Sequence, residues 1–167
     1  KGDAFGVTNQ NAGASKIDSF LRRTVTYRAT VDAATGKVRA TATILLENTA
    51  PSKGRSGYLI GNSVGLPLGW NRSYVSIYSA LAPTEVTLDG KPLDLPVERE
   101  LGLNVVSDYV DIGPGATRRI DVELAGGLDL SDGWYRFTYV PQVQNLQDRV
   151  SWGVDLDGAV AGEVVTH

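Results

Sequence analysis

The chain has 167 residues, enough for one domain with a sizeable core and cramped for two. Its formal net charge of −3 lacks the basic footprint of a nucleic-acid or anionic-membrane binder, so no nucleic-acid partner is expected. It has no cysteine, and its single histidine is His167, which excludes thiolate chemistry, a Ser-His-Asp triad and a multi-histidine metal site; no cofactor is expected.

Methionine is absent, the chain begins at Lys1, and no run approaches the roughly 20 apolar residues of a membrane span. The expectation is a fragment whose contact with a membrane runs only through an anchor outside it. Residues 1–16 are rich in Gly, Asn, Ala and Ser and show no sustained period, so they are expected to form a linker or extended arm. A β-sandwich domain is expected over 17–158, followed by a C-terminal tail over 159–167.

Strand signals begin at Leu21, where Leu21, Val25, Tyr27, Ala29 and Val31 alternate with Arg22, Thr24, Thr26, Arg28 and Thr30. Asp32-Ala33-Ala34-Thr35-Gly36 supplies turn chemistry, and Val38, Ala40, Ala42, Ile44 and Leu46 line the returning strand of a hairpin. Thr49–Asn71, with two prolines and five glycines, reads as a long connection between sheets with a short edge strand around Tyr58-Leu59-Ile60. A strand over Ser73–Leu81 is apolar on both faces. Asp89-Gly90-Lys91-Pro92 joins two short runs, Gly113-Pro114-Gly115 joins Leu103–Ile112 to Thr117–Leu124, and Trp134–Val140 and Val150–Leu156 close the series. No helical period persists. About eight short strands predict an all-β fold, an antiparallel β-sandwich of immunoglobulin or fibronectin type, with a jelly roll as the alternative.

The chemistry left open is that of carboxylates and aromatics. Glu98 with Glu100 and Asp108 with Asp111 are the acid pairs a glycosidase would need, against a surface reading in which they are solvated or ion-paired. Asp129-Leu130-Ser131-Asp132-Gly133 and Asp155-Leu156-Asp157-Gly158 resemble the opening of a calcium loop, with Asp155 and Asp157 as candidate ligands, but neither completes the oxygen set. Trp70, flanked by Gly69, Asn71 and Arg72, could pair ring stacking with hydrogen bonds to a sugar. Trp70, Asn71, Arg72, Tyr74 and Trp152 are therefore the candidate ligand residues, against a core-filling role for each aromatic.

Several motifs together, namely Val7-Thr8-Asn9-Gln10-Asn11-Ala12-Gly13, Lys16-Ile17-Asp18, Leu21-Arg22-Arg23-Thr24-Val25, Ile60-Gly61-Asn62, Gly65-Leu66-Pro67, Asn71-Arg72-Ser73-Tyr74 and Val110-Asp111-Ile112 with Pro114-Gly115, resemble the C-terminal region of a bacterial family. That family is known only as domain of unknown function four-zero-one-two. The resemblance covers roughly Phe5 to Leu124 and is looser from Trp134 onward. It implies a large, often actinobacterial protein with an N-terminal membrane anchor and an extracytoplasmic body, placing this segment at the outer membrane face or cell wall. It supplies no catalytic residue.

The expected function is thus that of a non-catalytic accessory or interaction domain. It would pack on the remainder of its own chain or on another envelope protein, through an apolar patch around Thr49–Asn71. The alternatives are a module binding cell-wall polysaccharide and, third, a carboxylate-based glycan hydrolase or transferase.

Overall fold

A computed structural model describes residues 2–156 and, as backbone, 159–166. The chain runs β1 (Asp3–Asn11), a 3-10 turn (Ile17–Phe20), β2 (Leu21–Val31), β3 (Lys37–Asn48), a helical turn α1 (Gly57–Ile60), β4 (Asn71–Ser79) and β5 (Ala82–Leu88). It continues through β6 (Lys91–Pro92), β7 (Glu98–Glu100), β8 (Leu103–Ile112), β9 (Thr117–Gly127), β10 (Phe137–Val140), β11 (Arg149–Leu156) and β12 (Ala159–Thr166). Five strands form one sheet in the order β10-β1-β4-β8-β7, and seven form the other in the order β12-β11-β2-β3-β9-β5-β6. The two sheets face each other across one core that includes Phe5, Val7, Tyr27, Ile44, Leu46, Ile112 and Leu124. The fold is an all-β sandwich.

Strict alternation sets the register of the largest sheet. Val25, Tyr27, Ala29 and Val31 of β2 lie opposite Ile44, Ala42, Ala40 and Val38 of β3, and all eight are buried. The hairpin closes at Asp32, whose carboxylate accepts from the amides of Ala34 and Thr35, and at Gly36, whose φ is +68°.

Four features differ from the sequence expectation. Both sheets are mixed, because β10 runs parallel to β1 and β11 parallel to β2. The β1-to-β2 and β10-to-β11 connections both cross from the five-stranded to the seven-stranded sheet in the same sense, so the later strands lie alongside the earlier ones in parallel. The expected arm contains β1, a central strand that buries Phe5 and Val7; its other inward positions are the polar Asp3 and Asn9, which hide the apolar period. Residues 159–166, expected as tail, pair with β11 as β12.

The long connection is also folded, and its Tyr58-Leu59-Ile60 piece is helical rather than an edge strand. Ile60 packs with Ile17 and Ala50 in a small second core, and the Asn62 carboxamide oxygen accepts from the amides of Val64 and Leu66. Asn48 is fully buried at the start of this connection; its amide donates to the carbonyls of Gly69 (2.7 Å) and Ile112 (2.8 Å).

Candidate ligand face

Residues of β4 alternate across the sheet, so Ser73, Val75, Ile77 and Ser79 point inward while Arg72, Tyr74, Ser76 and Tyr78 point outward. Register with β8 sets Asp111, Tyr109, Ser107 and Val105 directly beside those four outward residues. On the other side β1 contributes Gln10 opposite Tyr74, Thr8 opposite Ser76 and Gly6 opposite Tyr78, and β7 adds Glu98 and Glu100. The outer face of the five-stranded sheet is thus a platform of tyrosines, hydroxyls and carboxylates.

Its internal contacts are ordered along β4. The Arg72 guanidinium grips Asp111 with two bonds, of 2.7 and 2.6 Å, and holds that carboxyl below its ordinary range. Tyr74 and Tyr109 lie with ring centroids 4.9 Å apart and planes tilted by 52°, and Tyr109 remains 58% exposed. Ser107 donates to Ser76 at 2.8 Å, and the Tyr78 hydroxyl donates to Glu100 at 2.8 Å. Partial burial and then Glu100 raise the Tyr78 hydroxyl above its ordinary value, so it stays a neutral donor.

Of the five candidate ligand residues, Arg72 and Tyr74 lie on this face. Trp70, one step before β4, is half-buried with its ring against Gly113; a Cβ there would stand 3.3 Å from the ring, so glycine makes room for it. Asn71 faces the interior, fully buried, with its amide on Asp18 at 3.0 Å. Trp152 also points between the sheets, its ring 5.6 Å from that of Phe137. The five therefore do not form one site.

Glu98, Glu100 and Asp111 reach the outer face, whereas Asp108, opposite the inward Val75, lines a narrow gap between the sheets with Leu93 and Leu95. Asp129 and Asp132 accept from the amides of Ser131 and Trp134, and Asp132 also binds Arg136. Asp155 is half-buried, Asp157 lies outside the described residues, and among the described residues no three acids or histidines converge as metal ligands. Tyr109 escaped the sequence reading because Leu103–Ile112 mixes polar and apolar residues on both faces, Ser107 and Asp111 on one and Asn104 and Asp108 on the other, so no period marks its outward side.

Polar side chains are also buried where loops 12–20, 49–70, 113–116 and 141–148 gather at one end of the sandwich. Arg23 of β2 has no exposed side-chain surface, and it holds Asp148, 5% exposed, through two bonds of 2.7 Å. Its remaining nitrogen donates to Asn9 and Gln142, while Tyr139 and Gln144 donate to the same carboxylate. Every oxygen of Asp148 is taken, so this network ties β1, β2 and β10 to the loop. An open cleft of about 500 Å³ lies beside it, lined by Gln142, Gln144 and Gln147 among others. At the opposite end Asp3 receives the hydroxyls of both Tyr27 and Tyr135, and burial raises its carboxyl above the ordinary value.

No protein-family model and no curated protein matches the chain. Among solved structures it is similar to a candidate nutrient binding protein from Legionella pneumophila, with a TM-score of 0.54 and 11% identity over 92% of this chain and 54% of that one. The chain therefore spans about half the length of that protein. It is also similar to an M1 zinc metallopeptidase from Deinococcus radiodurans, with a TM-score of 0.40 and 13% identity over 85% of this chain and 35% of that one. At such identities the likeness is one of fold alone, and the Legionella protein supports the two-sheet sandwich.

Proposed function

We propose that this is a non-catalytic binding domain of an extracytoplasmic cell-envelope protein, and that the outer face of its five-stranded sheet binds polysaccharide. The observation that carries the reading is the tilted Tyr74–Tyr109 pair, set among Arg72, Ser76, Ser107 and Glu100 on one exposed face. Tyrosine offers a sugar ring an apolar surface with a polar rim, and the neighbouring hydroxyl and carboxylate groups supply hydrogen bonds that orient it. The acids here serve as acceptors: Asp111 is held by Arg72, and Glu100 takes the Tyr78 proton donor. The envelope location and the kinship with family four-zero-one-two rest on the sequence motifs, and a nutrient-binding role for a protein of similar fold is compatible with small-molecule or glycan capture.

The test is calorimetric titration of purified cell-wall polysaccharide into the 167-residue chain, wild type beside Tyr109→Ala. Saturable binding that Tyr109→Ala weakens by at least about tenfold is expected. No heat with wild type, or equal affinity in both, refutes the reading.

A second reading is favoured by Tyr58, Val64 and Leu68, three exposed apolar residues on the 49–70 connection that suit docking on another part of the protein or on a neighbour. Within the sandwich class, seven of the eleven steps between consecutive described strands cross from one sheet to the other, and the in-sheet steps are β2–β3, β5–β6, β7–β8 and β11–β12; the frequent crossing supports the jelly-roll alternative.

A further inference from the structure

We infer that the ligand of this face is a neutral oligosaccharide of several residues, laid along β4, and that polyanionic glycans are rejected. This rests on the reading of the face as a glycan platform and adds its charge class and length.

The charge class follows from the side chains that face outward. Arg72 is the one cation among the outward residues of β1, β4, β7 and β8, and both oxygens of Asp111 are bonded to it, so the pair offers no free positive charge. The backbone carbonyl of Asp111 is taken as well, by Arg118 from the edge. Glu98 and Glu100 stand on the same face beside Val105 and Leu103, while Arg99 between them points to the other side. A uronate, sulfate or phosphate would meet two carboxylates and no available cation. A sugar hydroxyl instead finds acceptors, because among the described residues the exposed Glu100 engages one oxygen with Tyr78 and its second oxygen has no bond.

The length follows from spacing. Tyr74 and Tyr78 are four residues apart on an extended strand, a distance of roughly 13 Å at 3.3 Å per residue. The tilted Tyr74–Tyr109 pair marks one end and Tyr78 with Glu100 the other, with the Ser76–Ser107 pair at the midpoint. One sugar ring cannot touch both ends, and an extended chain of several can. Gly6, opposite Tyr78 on β1, is itself covered by Val140 of β10, whose Cβ would stand 3.1 Å from a Cβ there, so Val140 bounds the face beside that tyrosine.

The experiment titrates neutral glucan, mannan, galactan and chitin oligosaccharides of one, two, four and six residues into the 167-residue chain at low ionic strength, where surface charge is least screened. Polyuronate oligomers of matching length, Tyr109→Ala and the double variant Glu98→Gln/Glu100→Gln complete the set. The expected result is that a neutral series binds with affinity rising at least about tenfold from two to six residues. Polyuronates should bind at least about tenfold more weakly and recover in the double variant. If polyuronate binds as well as the neutral series, or a monosaccharide as well as a hexamer, while Tyr109→Ala still abolishes binding, the inference falls and the glycan platform stands. If no glycan of either class binds, both fall.

Discussion

Replacing Arg23 with Met keeps much of its length and apolar stem but removes the charge from the most buried ion pair among the described residues. Asp148 is 5% exposed and would lose two bonds of 2.7 Å, keeping only the Tyr139 hydroxyl and the Gln144 amide. Breaking one side of a buried pair costs about 3–5 kcal/mol, because the remaining charge is left in low dielectric. The oxygens of Asn9 and Gln142 also lose a donor, which places Arg23→Met at the upper part of that range. With a urea slope of about 2 kcal/mol per molar, the unfolding midpoint should fall by roughly 2–2.5 M. The double variant Arg23→Met/Asp148→Asn removes the stranded charge and should recover most of the loss. A midpoint shift below about 0.5 M for Arg23→Met, or a double variant no more stable than the single one, would refute the account of this network.

Three further outcomes can be checked by the same denaturation assay. Gly36→Ala should lose at least about 2 kcal/mol, since its φ is +68° and a Cβ would stand 2.2 Å from the Leu128 carbonyl oxygen. Ser73→Ala should leave stability unchanged or raise it by about 1 kcal/mol, because the buried Ser73 hydroxyl has no hydrogen-bond partner among the described residues. Burial raises the Asp3 carboxyl above 3.8, so its protonation stabilises the fold fully below that value and the contribution is lost as pH rises through the raised one. Measured against Asp3→Asn, the wild type should therefore gain relative stability between pH 7 and pH 4; a constant or opposite difference contradicts this.

The β2–β3 hairpin was legible because its apolar residues recur at every second position and its turn carries Asp32 and Gly36. Strand β1 was not, since Asp3 and Asn9 occupy inward positions, where one Asp3 oxygen accepts from Tyr27 and Tyr135, the Asn9 side-chain oxygen accepts from Arg23 and the Asn9 backbone pairs with Gln142, partners scattered along the chain. The parallel pairings β1–β10 and β2–β11 depend on how two connections cross the same end of the sandwich, which no local period records.

At the candidate site, Trp70-Asn71-Arg72 looked like one cluster because the residues are adjacent. On a strand adjacent side chains point to opposite faces, so Arg72 and Tyr74 share the platform and Asn71 is buried behind it. Tyr109, Ser107 and Glu100 reach that platform only through cross-strand register, as does the separation of Asp111 from Asp108. The exposed Tyr58, Val64 and Leu68 lie in the stretch where the sequence led us to look for an apolar patch.

The most direct measurement is an amide chemical-shift map of the 167-residue chain titrated with a neutral hexasaccharide. Binding at the outer face should move the amides of residues 72–78, 98–100 and 105–111 together, saturably, and spare residues 141–152. Shifts centred on the cleft beside Gln142 and Gln144 or on Trp152, with the β4 and β8 amides unmoved, would contradict glycan binding at this face.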